Sequence, residues 1–364
     1  MRAQDAAVAG RRPAVVDVDA PGPRARGRAR GALLGERVAG LRDEYARLIA
    51  AAGAIDLDAS LERTRATVAE WWPDGAAELA GLAEGAGVDE RDAWLLNART
   101  ELLAETRRHG SPSAARECSV AVRPGIAGIQ TWDWHDHLAP YWHPVRCRGG
   151  ALDWAGITEA GILAKIGVNS AGVGLHLDIL LHDDDHAGGA PVHLVAARIL
   201  GEAENVDDAI AIAAEAPVSA SSALTVHDGE RGVTIELSPA GIGLVEPRDG
   251  WLVHANRFQT PELRRGERDD PADRESADDA IAREALLRER TAGGPRIPDS
   301  EGLLDLLDTA PEAVGRLSCV PDPGAGLGDR WHTLATVVTR PSQRCIEFVA
   351  GLPRGGAPLR GLAL

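Results

Sequence analysis

CSVAVRPGIAGIQTWDW, residues 118–134, is where the chain changes texture. Apolar residues alternate with small and polar ones on either side of Pro124-Gly125, a turn pair, so the stretch reads as a β-hairpin. The hairpin opens on Cys118, and a polar loop, RHGSPSAARE at 108–117, leads into it. A cysteine that opens a strand after such a loop can be exposed by cutting the preceding peptide bond. The cut would give Cys118 a free α-amine, whose pKa of about 7.7–8.0 lies near working pH. That amine could serve as the base for its own thiol, so one residue would supply nucleophile and base. A free cysteine is more often a small buried hydrophobe, so support must come from elsewhere in the chain.

Upstream the pattern is helical. LLGERVAGLRDEYARLIAAAG at 33–53, DASLERTRATVAEWW at 58–72, PDGAAELAGLAEGAG at 73–87 and DERDAWLLNARTELLAE at 89–105 repeat apolar residues at helical spacing. Asp58 and Ser60 are candidate caps of the second helix. Residues 1–30, with PGPRARGRARG at 21–31, show no apolar period and read as a loosely ordered arm. Downstream, 151–180 reads as strands joined by glycine turns, and 191–203 and 205–216 as two successive helices. SSALTVHD, GVTIELSP, IGLVEP and WLVHANRF, between 221 and 258, are four short strands. Residues 271–290 and 300–308 are helical, the first strongly charged and expected to be exposed, and HTLATVVTR with CIEFVAG closes the chain as a hairpin. The order predicts an α+β protein: a helical N-terminal segment, 1–117, before a sheet-rich core, 118–364.

Composition bounds the partners. The chain has 364 residues and a formal net charge of −16, which argues against DNA or RNA, whose binding rests on a basic footprint. Lys165 is the only lysine among 39 basic residues, a bias that fits a GC-rich bacterial gene and leaves one candidate for lysine chemistry. Cys118, Cys147, Cys319 and Cys345 form no CxxC pair and no disulfide framework. With no apolar signal region and no long uncharged apolar run, a cytoplasmic protein is expected, away from membranes. Self-association is compatible with the sequence.

RECSVAV at 116–122, GIQTWDWHDHLAP at 128–140, TEAGILAKIGVNSAGVGLHLDIL at 158–180, PVHLVAARIL at 191–200 and HANRF at 254–258 form an ordered series. Together with GLAEGAGVDERDAWLLNARTEL at 81–102, they resemble the self-processing acyltransferases and hydrolases typified by acyl-CoA:6-aminopenicillanate acyltransferase, a cysteine branch of the N-terminal-nucleophile hydrolases. The resemblance runs from about 80 to 350. It implies a four-layer αββα sandwich, self-cleavage between Glu117 and Cys118, and two associated fragments from one chain. Well-known members carry Gly before the cysteine. Glu117 departs from that pattern and makes the strained conformation that assists cleavage harder to reach.

The same resemblance assigns site residues. Asp133 matches the aspartate that stabilises the amine or orients substrate, and Asn256 matches the asparagine whose side-chain amide meets the oxyanion. Arg330 is the candidate for an arginine before the last hairpin, with Arg316 and Arg340 as alternatives. Asn169 and Ser170 are candidates for substrate contact, though a tight turn explains them as well. Trp132, Trp134 and Trp142 could build an aromatic acyl pocket with His135 beside it. The implied substrate is a small acylated amine or an acyl thioester; acyl-CoA would be a substrate, and no cofactor is required. HDH at 135–137 and HDDDH at 182–186 invite a metal, but neither has a distant matching pair. HDDDH reads as a solvated loop tip. The rival readings are an unprocessed small-molecule or metal-binding protein of the same fold, and an unprocessed cysteine amidase with His135 or His254 as base.

Overall fold

The computed structural model describes residues 13–108, 118–268, 274–292, 299–310 and 312–364, with the side chains of 274–279 outside the description. The N-terminal segment carries a strand, β1 (Val16–Asp19), and five helices, α1 (Pro23–Ala52), α2 (Leu57–Trp71), α3 (Pro73–Ala86), α4 (Glu90–Asn97) and α5 (Arg99–Arg108). Asp56, one turn before the candidate caps, closes the N-terminus of α2 by accepting from the Ala59 N–H at 3.1 Å.

The core follows with β2 (Ser119–Arg123), β3 (Ala127–His135), β4 (Trp142–Arg148), β5 (Trp154–Glu159), β6 (Ile166–Asn169) and β7 (Gly174–Ile179). Two helices, α6 (Val192–Glu202) and α7 (Val206–Glu215), precede β8 (Ser222–His227), β9 (Gly232–Ser238), β10 (Gly241–Val245) and β11 (Leu252–His254). A short α8 (Pro261–Arg264), then α9 (Arg274–Ala292) and α10 (Ser300–Leu307), lead to β12 (Trp331–Arg340), β13 (Cys345–Ala350) and β14 (Arg360–Ala363).

The strands form two sheets. One has eight strands in the order β1-β4-β5-β6-β7-β8-β9-β10, and the other six in the order β11-β2-β3-β12-β13-β14. They pack face to face, β12 and β13 against β5, β6 and β7, and β3 against β7. Outside, α6 and α7 cover the larger sheet, while α9 and α10 cover the smaller. The architecture is a four-layer αββα sandwich, so most inner strands are buried on both faces. Every residue of β12 is buried, and its apolar residues face both the inter-sheet core and the leucines of α9 and α10. Such a strand reads as a continuous apolar run rather than an alternating one.

The arm expected to be loosely ordered is structured from residue 13. The strand β1 pairs in parallel with β4, and α1 begins at Pro23. Its apolar period is missing because its contact stripe is glycine. Gly27, Gly31 and Gly35 of α1 lie against Gly81 and Gly85 of α3, close enough that a Cβ on Gly31 would sit 2.2 Å from the Leu82 carbonyl oxygen. Glycines four apart let two helix backbones meet, and Arg24, Arg26 and Arg28 then reach Glu84 and Glu78 across the seam. No described helix is long and apolar enough to cross a membrane.

This seam can be tested against helix propensity. In an open helix, Gly→Ala stabilises by about 1 kcal/mol, and overpacking costs about 1–3 kcal/mol. Gly31→Ala should therefore lower Tm, whereas Gly201→Ala in α6, with nothing within 4 Å of the added methyl, should keep or raise it. Equal melting of Gly31→Ala and wild type would disprove the close seam.

Candidate active site

The antiparallel register of β11 on β2 sets His254 opposite Val120. Two residues on, Asn256 arrives opposite Cys118. Asn256 has a left-handed backbone (φ 57°), which turns the chain out of the strand and leaves its side chain beside the cysteine. The Cys118 backbone N–H donates to Asn256 Oδ1 at 2.9 Å. Asn256 Nδ2 donates to the Ile179 carbonyl at 3.0 Å. An amide nitrogen carries two hydrogens, so one remains for another acceptor.

Arg283 locks this corner. Its Nη1 donates to the Cys118 carbonyl at 2.7 Å, and both Nη atoms lie 3.3 Å from Asn256 Oδ1. The sequence reading passed over it, because α9 is strongly charged and was expected to be exposed. A signal was there: Ala280, Arg283, Leu287 and Thr291 fall on one helical stripe, and that stripe is buried.

Cys118 opens into a small pocket of about 20 Å³ between the sheets, lined by Arg99, Trp132, Asp133, Trp134, Lys165, Ile166, Leu177, Ile179 and Asn256. Asp133 lies on β3, where a register shift between Thr333 and Ala335 of β12 interrupts the ladder beside it. Such irregularities often re-aim side chains at functional sites. The Thr333 hydroxyl donates to Asp133 Oδ1. Burial, with the Asp178 and Asp133 carboxylates, pushes the Cys118 thiol far up, so in the intact chain the sulfur is a thiol.

The opposite wall is cationic. Lys165 Nζ lies 4.7 Å from the Trp132 ring centre, and the Arg99 guanidinium 4.4 Å from that of Trp134. Both reach one buried carboxylate, Glu159, at 2.9 and 3.1 Å. Tyr45 of α1 donates to the same carboxylate at 2.6 Å. Burial pulls Lys165 down to about 8, with Arg99 adding to the shift and Glu159 opposing it. Glu159 falls to about 2 because Lys165 and Arg99 outweigh its burial.

Behind Asn256 lies a second buried network. His254 Nδ1 is 2.9 Å from Asp178 Oδ2, and Nε2 is 3.4 Å from Glu236 Oε1. Burial alone would lower the imidazole, but the two carboxylates outweigh it and raise it to about 9. Near neutral pH His254 is an imidazolium held on both nitrogens, which does not suit the role of base. His135 is equally unsuited. Burial, then His137, lowers it to about 3, and it packs on Trp331 away from the pocket lining.

Other candidates from the sequence fall elsewhere. Arg330 pairs with Asp136. Arg340 is held by Glu347 and Ser300, and Arg316 does not line the pocket. Asn169 is a turn residue, accepting from Val173 N–H and donating to the Ala203 carbonyl, with Ser170 next to it. Trp142 packs on Trp132 and Phe348. Glu117 lies outside the described residues. In HDDDH, His182 and Asp185 are buried, and Asp185 accepts from the His182 N–H and the Ser221 hydroxyl. The loop is thus anchored by His182 and Asp185 while Asp183 and Asp184 stay exposed as its acidic tip. Among the described residues no three His, Cys, Asp or Glu side chains come together as a metal site.

Fold and site define a four-layer αββα protein with a buried cysteine at a small, cation-walled pocket between the sheets. The family described as acyl-coenzyme A:6-aminopenicillanic acid acyl-transferase matches residues 129–355, more than half of the chain, and the protein belongs to that family. The acyl-coenzyme A:6-aminopenicillanic-acid-acyltransferase 40 kDa form of Emericella nidulans is 28% identical over 207 residues, 55% of this chain and 56% of that protein. The chain thus spans about half the length of that relative. Among solved structures, penicillin V acylase from Agrobacterium tumefaciens overlays with a TM-score of 0.46 at 12% identity, covering 68% of this chain and 86% of that one. The N-acylethanolamine-hydrolyzing acid amidase ortholog of Caenorhabditis elegans gives 0.41 at 14%, covering 62% and 92%.

The His254 network predicts a pH signature. Its folded pKa, about 9, exceeds the ordinary 6.5, so its contribution to stability is complete below 6.5 and lost as pH rises through 9. The Tm advantage of wild type over His254→Gln should be largest in acid and shrink across that window. An advantage that is flat with pH would mean that His254 is not held protonated.

Proposed function

We propose that this protein is an N-terminal-nucleophile enzyme that cuts its own chain before Cys118. It then uses that cysteine to hydrolyse or transfer the acyl group of a small acylated amine or acyl thioester. The observation that carries the reading is that the Cys118 backbone N–H donates to Asn256 Oδ1, with Arg283 holding the Cys118 carbonyl and both Cys118 and Asn256 lining the pocket. The nitrogen that would become the α-amine is already held by a dedicated acceptor. Family membership supports the acyl chemistry.

In the intact chain, the Cys118 thiol adds to the carbonyl carbon of residue 117. The peptide C–N bond breaks, the nitrogen gains the proton that sulfur loses, and residue 117 is left as a thioester. Water hydrolyses that thioester, leaving a carboxylate on the upstream fragment and an α-amine with a free thiol on Cys118. The new amine changes the sulfur's surroundings. It brings a base, and once protonated a positive charge, beside a thiol that burial and two carboxylates had held protonated. Asp133 can balance that charge.

In turnover, the amine takes the thiol proton and sulfur attacks the substrate carbonyl. The oxyanion is met by the second N–H of Asn256, whose other N–H stays on Ile179. Collapse expels the amine or thiol, which takes up the proton. Water or an acceptor amine then attacks the acyl-cysteine and regenerates the thiol. The upstream fragment stays docked, because α1, α3 and α5 bury their apolar faces in the main core.

Mass spectrometry of purified protein should show fragments 1–117 and 118–364, co-eluting, and Cys118→Ala should remain one chain. Cleavage that persists in Cys118→Ala, or that starts at another residue, overturns the reading. In the processed enzyme Asn256→Ala should lose roughly 10²–10³ in turnover, as oxyanion donors do. Iodoacetamide should label Cys118 after processing and far more slowly before it. Equal labelling of Cys118 before and after cleavage would show that the amine does not activate the thiol.

A further inference from the structure

We propose that Arg99 and Lys165 form an anion subsite inside the Cys118 pocket. The preferred substrate is then an amide with a carboxylate within a few bonds of the scissile carbon, such as an N-acylated amino acid or the monoamide of a short dicarboxylic acid. The proposal rests on the cysteine chemistry above and specifies what the pocket accepts.

The first argument is charge. Arg99 and Lys165 are both buried and both line the pocket with Cys118. Behind them the Glu159 carboxylate is shared: its Oε2 serves both cations and its Oε1 is taken by Tyr45. One ionised carboxylate thus serves two cations, with the Glu101 carboxyl, pushed up to about 7 by burial, also acting on Arg99. Asp133 also lines the pocket, but it lies at the Cys118 side. There it accepts from Thr333 and would face the α-amine that cleavage creates.

The second argument is hydrogen bonding. Arg99 carries five N–H donors. Nη2 reaches Glu159 and Nη1 reaches Thr100 Oγ1 at 3.3 Å, but Nε, fully buried, has no partner. A buried donor left unmade is costly. The guanidinium carbon lies 4.4 Å from the Trp134 ring centre, and a guanidinium is the side chain that meets a carboxylate bidentately.

The third is size and lining. The two indole faces that would otherwise grip an acyl chain are covered by the protein's own cations. The remaining space, about 20 Å³, admits one small group at a time. Since Cys118 shares this space, the anionic group must lie close to the carbonyl under attack.

The test needs no variant to begin. Processed wild-type protein is assayed at pH 7 with N-acetyl- and N-hexanoylglycine against the matching glycinamides. The carboxylate member should have the higher kcat/KM by roughly 10-fold or more, the scale of a charge-assisted hydrogen bond in a buried site. Lys165→Met and Arg99→Gln, checked for folding by melting, should bring the carboxylate-to-glycinamide ratio, read within each variant, towards one. In parallel, quenching of tryptophan fluorescence by N-acetylglycine, but not by N-acetylglycinamide, reads the subsite without catalysis. Wild type that cleaves itself and turns over both members equally overturns the subsite and leaves the enzyme reading standing. Protein that binds the carboxylate selectively, yet neither self-cleaves nor hydrolyses, upholds the subsite and removes the enzyme reading.

Discussion

Glu159 is the fixed point of the molecule. A carboxylate at the end of β5, wholly inside the protein, would carry a large desolvation penalty if left alone. It is held by a hydroxyl from α1, a guanidinium from α5 and an ammonium just before β6. Two of these three partners come from the chain before Cys118. The upstream helices therefore do more than cover apolar surface. They complete a buried charge network that the sheets cannot satisfy on their own, and Arg99 brings that network to the wall of the pocket. A fragment released by cutting between 117 and 118 would have to leave Glu159 with its lysine alone, so the cut chain has an electrostatic as well as an apolar reason to stay together.

The second buried network works from the other side of the cysteine. Asp178, His254 and Glu236 lie on β7, β11 and β9, and Glu236 also accepts from Gln259 and Thr260 just beyond Asn256. Gln130 of β3 ties in by donating to Asp178 and to the Leu177 carbonyl. These bonds fix the backbone on both sides of Asn256, which is what a left-handed asparagine needs to hold its side chain on a single target. His254 thus reads as a strut for the site, with its charge neutralised by two carboxylates and its nitrogens both engaged.

Much of this was legible in the sequence, for physical reasons. The hairpin at 118–134 announces itself by its turn and its apolar alternation, and the ordered segments single out Cys118, Asp133 and Asn256, which the fold brings to one pocket. Trp132 and Trp134 also meet the pocket, though their faces are turned to cations rather than to open space. What stayed hidden is what does not repeat along the chain. The glycine seam of α1 and α3 has no apolar period because close backbone approach needs absence of side chain. The edge strands β1 and β14 are four residues each and carry charge. Arg99, Lys165 and Arg283 come from three distant segments, and only the fold brings each of them to the surroundings of Cys118. Arg330 illustrates the converse: proximity in sequence to the last hairpin left it on Asp136, while an arginine from a helix expected to be exposed reached the cysteine.

The two networks set opposite conditions on the same sulfur. Burial, then Asp178 and Asp133, raises the Cys118 thiol, while Lys165 and Arg99 stand across the pocket sharing Glu159. In the intact chain the acidic side governs the sulfur, and the pocket is too small for more than a solvent-sized guest. Cutting the chain before Cys118, as proposed, would create two charges, an ammonium on Cys118 and a carboxylate on the upstream fragment. The ammonium, sharing a residue with the sulfur, would relieve the repulsion on a thiolate and offset Asp133. A chain built this way would stay chemically quiet until its own cleavage supplies the missing charge, which is a physical reason for nucleophile, base and processing site to be one residue.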